Sequence, residues 1–161
     1  MRICKRIFPV TEDWEFNTIE KFQKWLETTC KRERSGKFHL RTKIGLGDGC
    51  NPPGSLGIFR FKGHLIGEGE VEKDIIDNDD DLKEKYAIYF QPNTIKLYSN
   101  PIPVKDITLP SGKDIIHRGT TLSPEDYEYL KRYIRTISWT NATGTHLQSV
   151  PTDQGFSIPL K

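Results

Sequence analysis

Between Leu56 and Val104 small, apolar and polar residues alternate with a period of two, the pattern of strands half buried against a core. The segments are Leu56–Lys62, Leu65–Val71, Tyr86–Phe90 and Ile95–Tyr98, closed by Pro101–Val104. Gly63-His64 links the first two as a two-residue hairpin connection. Gly67 and Gly69 stand two apart on the second segment and therefore share a face. Glycines so placed suit either a bend in a small barrel or the close approach of another group. Further strands are expected over Ile3–Val10 and Phe38–Ile44.

Two stretches carry helical spacing instead. Ile19, Phe22, Leu26 and Thr29/Cys30, with Trp25 beside them, predict a first helix of about 12 residues. Asn17 is its expected N-cap and Glu20 the capping-box partner. Ser123-Pro124-Glu125-Asp126 has the composition of a second helix start, with Tyr127, Leu130, Ile134 and Ile137 as its buried stripe. Lys131, Arg132 and Arg135 form the basic outer face. The pattern describes one α+β domain over residues 1–138, a small curled β-barrel flanked by helices. Residues 139–161 form a polar tail or linker, where another domain would be attached.

The connections exclude several chemistries. The Gly/Pro-rich stretch from Gly45 to Ser55 lacks the GxxxxGK[ST] and GxGxxG patterns and precedes no helix, so it is no phosphate cradle. The acidic loop after Val71, with Asp74, Asp77, Asp79, Asp80 and Asp81, departs from the calcium-loop pattern. It is expected to be solvated and to repel nucleic acid. His39, His64, His117 and His146 have no metal-ligand spacing, so neither a metal nor another cofactor is expected. No Ser/His/Asp or HxE…CxxC arrangement stands out, and the domain alone is read as non-catalytic.

Composition changes this picture only locally. The 161 residues are 35% hydrophobic and 29% charged, and 24 Lys plus Arg against 22 Asp plus Glu leave a net charge of +2. Three cysteines without CxxC spacing argue for a reducing, cytoplasmic setting rather than a disulfide framework. No apolar leader or membrane-length run is present. The basic charge is concentrated in Lys31, Arg32, Arg34, Lys37, Arg41 and Lys43. Cations at a helix C-terminus and a phosphate-facing patch both account for it.

The order of elements and four motifs resemble the PUA-like superfamily, most closely its EVE branch, related to YTH, ASCH and SRA domains. The motifs are Gly47-Asp48 ahead of Gly57-Ile58-Phe59-Arg60-Phe61, the return strand Leu65–Val71, Ile88-Tyr89-Phe90 leading to Asn100–Ile107, and Thr121–Tyr127 opening the last helix. The resemblance spans residues 37–134. The tryptophan that commonly opens an EVE domain is absent, and so is the GxKxxExR signature of ASCH domains, which counts against an amidohydrolase of that type.

The resemblance implies a reader of modified bases that takes the base into a pocket at the mouth of the curled sheet. Such a pocket needs an aromatic platform, polar groups for the base edge and cations for the backbone. Trp14, Phe61, Tyr86, Tyr89 and Trp139 are the candidate platforms. Arg41, Thr42 and Lys43 are candidates for the base edge, and Lys31, Arg32, Arg34 and Arg135 for the backbone. The implied partner is double-stranded DNA carrying 5-methylcytosine or 5-hydroxymethylcytosine, and the implied role is the specificity module of a modification-dependent restriction system, with a fused or associated nuclease. A YTH-like reader of modified RNA, a small hydrolase of modified nucleosides and a protein-interaction module are the alternatives.

Overall fold

The computed structural model describes residues 3–40, 51–77, 86–116 and 120–143, with backbone only for residues 76–77 and 138–143. Its strands are β1 (Lys5–Val10), β2 (Lys37–Leu40), β3 (Leu56–Phe61), β4 (His64–Asp77), β5 (Tyr86–Phe90) and β6 (Lys96–Pro103). They form one sheet in the order β1-β3-β4-β5-β2, with β6 also paired to β4. β1 runs parallel to β3 and the other pairs are antiparallel. At 14 residues β4 is long enough to serve several partners: its first half pairs with β3 and β6, its second half with β5. Register shifts between Leu65 and Gly67 and between Val71 and Lys73 mark bulges, which bend a strand and curl its sheet.

Period-two alternation divides neighbours between two cores. Phe8, Phe59, Ile66 and Phe90 face the inner core, which the first helix covers. Ile7, Ile58, Leu65 and Ile102 face the outer core, against α2 (Pro124–Thr143). The fold is α+β, a curled sheet flanked by helices. Gly67 and Gly69 answer to close approach. A Cβ on Gly67 would stand 2.4 Å from the Lys96 carbonyl oxygen, and one on Gly69 would meet the Phe90 ring at 3.1 Å.

Several boundaries differ from expectation. Lys62 (φ 49°) and Gly63 (φ 71°) are the turn residues of the hairpin, and His64 already belongs to β4. Two consecutive positive φ values are the requirement of a type I′ turn. The segments expected over 95–98 and 101–104 merge into a single strand, β6, with Ile95 and Val104 just outside it. β4 runs on to Asp77, so Asp74 lies in a strand and accepts from the Asn51 backbone N–H and side-chain amide at 3.1 and 3.2 Å. Asp79, Asp80 and Asp81 lie outside the described residues.

The first helix is α1 (Ile19–Lys24), prolonged without a break by a π-helical segment, Trp25–Glu33. Its cap is Thr18, whose Oγ1 accepts from the Lys21 N–H at 3.1 Å, in place of Asn17. Phe22, Trp25, Leu26 and Cys30 are all buried along this helix. α2 starts where expected, the Ser123 hydroxyl accepting from the Asp126 N–H at 3.1 Å. Its backbone continues through 139–143, into the stretch read as tail.

Two buried acids couple the stability of this fold to alkaline pH. Burial pushes the Cys30 thiol from 9.0 up to about 12, and burial followed by the Glu68 charge holds the Tyr98 phenol well above 10. Both folded values lie above the unfolded ones, so their contribution is complete below about pH 9 and is lost as pH rises through the folded values. The midpoint of urea unfolding is therefore expected to fall above pH 9, with about 2 kcal/mol lost to Cys30 alone by pH 10.5. A Cys30→Ala variant whose stability fell just as steeply would exclude the thiol as a source.

Candidate base-binding site

A tight turn presents the site. The backbones of Asp13 and Phe16 bond to each other in both directions, N–H to carbonyl, at 3.0 and 3.1 Å. That leaves Trp14 and Glu15 at the tip. Phe16 anchors the turn in the inner core, its ring centroid 4.8 Å from Phe22, 5.0 Å from Trp25 and 5.7 Å from Phe61. Trp14 stands out of this anchored turn with 83% of its surface in solvent, the most exposed large apolar residue among those described. Large aromatic side chains held in water by a rigid turn are candidates for contact with a partner.

Beside it, four polar side chains converge from three parts of the chain. His39 comes from β2, Arg34 from the end of the π-helix, and Asp13 and Glu15 from the turn. His39 and Asp13 side chains are each 7% exposed. Arg34 Nη1 lies 2.7 Å from His39 Nδ1. Because a guanidinium only donates, Nδ1 is the acceptor and the ring proton sits on Nε2. Nε2 in turn faces Asp13 Oδ2 at 3.4 Å and Glu15 Oε1 at 3.8 Å. Trp25 closes the back: its indole N–H donates to Glu15 Oε1 at 3.1 Å, and its ring meets His39 edge to face at 5.2 Å.

Glu15 and Arg34 are the accessible members, 19% and 35% exposed, with Glu15 Oε2 3.7 Å from Arg34 Nη2. Too long for a hydrogen bond, that separation leaves lone pairs on Oε2 and guanidinium donors available to a ligand. Asp13, Glu15 and His39 also bring three ligand atoms within 4.8 Å of one another, enough to surround a cation. The guanidinium on Nδ1 keeps the proton on Nε2, the atom facing the carboxylates, so a metal would first have to displace Arg34. As it stands, the cluster suits hydrogen-bonded recognition.

The predicted pocket residues are only partly gathered here. Trp14 is at the site and Arg34 lies inside it, its Nη1 donating to His39 and its Nη2 beside Glu15. Tyr86, paired with Leu40 next to His39, is half-buried at the same end of β5. Phe61 is a correction: it is 1% exposed, a core ring beneath Phe16 with no surface for a base. Tyr89 is half-buried and turned to the opposite face from Phe90, where Lys73 Nζ sits 5.2 Å from its ring centroid. Arg41, Thr42 and Lys43 follow β2 but lie outside the described residues. Of Trp139 only the helical backbone is described.

The expected backbone cations do not form one track. Lys31 and Arg32 lie on the π-helix and both pair with Glu27, at 4.0 and 3.1 Å. Arg135 is on α2, across the sheet from them. Sequence reading weighed His39 only as a metal ligand and passed over Asp13 and Glu15; the one local signal is the Asp-Trp-Glu spacing, which brackets an exposed aromatic with acids.

No protein-family model matches the chain, and no curated protein does. Among solved structures it is similar to protein Atu2648 from Agrobacterium tumefaciens, at 14% identity over 81% of this chain and 92% of that one, TM-score 0.48. It is also similar to a tyrosine-to-phenylalanine mutant of ZmASCH from Zymomonas mobilis, at 13% identity over 80% and 96%, TM-score 0.49. A third is the YTH domain of the Zygosaccharomyces rouxii MRB1 protein, solved in complex with N6-methyladenosine RNA, at 11% identity over 83% and 90%, TM-score 0.47. Identities this low with TM-scores below 0.5 leave function to be argued from the residues of this chain.

Proposed function

We propose that the domain binds nucleic acid by taking a single base, one that carries an exocyclic amine, against Trp14 and the Glu15–Arg34 pair. The observation that carries this reading is an 83% exposed tryptophan on an anchored turn, beside a carboxylate and a guanidinium held in place from behind by Asp13, His39 and Trp25. A carboxylate accepts from the amine of cytosine or adenine, and a guanidinium donates to the ring nitrogen or carbonyl beside it. Thymine and uracil offer a carbonyl in place of the amine and would face Glu15 unpaired. Stacking on Trp14 supplies affinity without sequence preference.

Within this reading the finer expectation is DNA with 5-methyl- or 5-hydroxymethylcytosine, the domain acting as the reading module of a restriction system with its nuclease fused or associated. A short duplex carrying cytosine, either modified cytosine or N6-methyladenine, with an RNA counterpart, tests it at two salt concentrations. A preference for one base that persists at the higher salt is the expected result, since phosphate contacts fade equally for every ligand. Trp14→Ala should weaken binding about 10- to 100-fold, the usual cost of a lost stacking contact. Glu15→Gln should narrow the gap between bases, and Arg41→Ala should weaken binding as well. Undiminished binding by a folded Trp14→Ala protein would refute this site, and a preference for the RNA ligands would move the reading to RNA.

A further inference from the structure

A second concavity lies on the other face of the sheet, between β6 and α2, away from the Trp14 turn. It encloses about 430 Å³ and opens to solvent. Pockets of a few hundred cubic ångströms hold ligands of nucleotide size. Ile58, Leu97 and Ile134 line its apolar part.

Its polar groups are sorted by depth. At the floor, the buried Tyr98 hydroxyl donates to Glu68 Oε1 at 2.9 Å. The phenol is held well above its usual range by burial and by Glu68, so it stays a donor to Glu68, which lines the cavity. At the rim stand Lys96, Lys131 and Arg135. Lys96 lies 3.7 Å from Glu68, and Lys131 makes a surface pair with Glu128 at 3.2 Å, the kind that contributes little. Arg135 is exposed and pairs with no carboxylate among the described residues. Tyr127 forms one wall, with Lys5 and Lys131 ammonium groups 4.9 and 5.3 Å from its ring centroid.

The groove carries one carboxylate at its floor, beside Lys96, and two further cations at its rim. It suits a molecule with an N–H donor at one end, a flat apolar middle and an anion at the other. We infer that this groove binds a nucleotide whose amine-bearing base edge meets Glu68 and whose phosphate lies between Lys131 and Arg135. The nucleotide is either free or part of a strand, and the two sources share the same chemistry.

The test uses the full chain with cytidine 5′-monophosphate, uridine 5′-monophosphate and cytidine, titrated by calorimetry or by chemical-shift changes, and a short single-stranded oligocytidylate in parallel. Saturable binding of the cytidine nucleotide is expected, weaker by about tenfold for uridine monophosphate, for cytidine and in Arg135→Glu, each of which removes one charge-assisted contact. Arg135 is exposed on a helix, so its reversal does not threaten folding, and Trp14→Ala should leave this binding unchanged. Saturation by the oligonucleotide but not by the mononucleotide, lost in Arg135→Glu and kept in Trp14→Ala, identifies the strand as the source and supports the site. Failure of both ligands to saturate overturns the proposal. So does equal binding of the uridine and cytidine nucleotides, or indifference to the combined Lys131→Glu and Arg135→Glu change. Repeating each titration in Trp14→Ala removes any cytidine binding at the Trp14 turn, so either site can fail alone.

Discussion

Replacing Phe22 by alanine is expected to cost about 3–5 kcal/mol, the range for deleting a buried aromatic ring. Phe22 is fully buried on α1, where the helix enters the inner core. Its ring centroid lies 4.8 Å from both Phe16 and Phe61 and 6.3 Å from Trp25, and its neighbours Phe38 and Phe59 come from β2 and β3. The ring therefore joins the helix, the Trp14 turn and two strands, and the cavity left by its removal cannot be filled by one element shifting alone. Since a domain of this size has a total stability of about 5–15 kcal/mol, a large part of it would be lost. Urea unfolding checks this. Phe22→Leu keeps most of the volume and should lose less than half as much. A loss below about 1 kcal/mol for Phe22→Ala would mean that the helix is not docked through this ring.

The same core explains how far the sequence could be understood before the fold. Strands β3 to β6 were legible because runs of apolar and β-branched residues alternate between two cores, as in Ile58/Phe59 and Leu65/Ile66. The start of α2 was legible because a capping hydroxyl and a first-position proline act locally. The π-helical form of the first helix's second half was not: Phe22, Leu26 and Cys30 keep the four-residue spacing of an α-helix, which does not reveal the change in backbone bonding. The polar cluster escaped for another reason. Asp13, Glu15, Arg34 and His39 are brought together by a turn, a helix end and a strand, and no spacing within the chain encodes that meeting. Phe61 and Tyr89 were each one of a pair of alternating neighbours, and alternation alone does not say which member of a pair faces in. Burial decides against Phe61 as a platform, since Phe61 and Phe90 face in while Arg60 and Tyr89 face away.

Gly36→Ala is expected to cost about 3 kcal/mol or more, through backbone rather than core. After the π-helix the chain reverses through Ser35 at φ 52° and Gly36 at φ 93° and enters β2. The Gly36 N–H donates to the Cys30 carbonyl at 2.7 Å, and its own carbonyl accepts from the Phe90 N–H at 2.8 Å. A Cβ at this position would lie 1.9 Å from the Phe90 carbonyl oxygen, inside any tolerable contact. Alanine therefore meets two costs, a φ that L-residues avoid and a displacement of β5 from β2. β2 pairs with β5 from Lys37 onward, with His39 opposite Ala87, so the displacement reaches His39 and with it Arg34 and Glu15. The melting temperature should fall by about 6–12 °C. Base binding should weaken even at temperatures where the variant is folded. Ser35→Gly is the matched control: it relieves a positive φ without adding an atom, and should leave stability the same or raise it slightly. If Gly36→Ala melted within a degree or two of the parent, β2 would not be fastened to β5 at this point, and the position of His39 would need another cause.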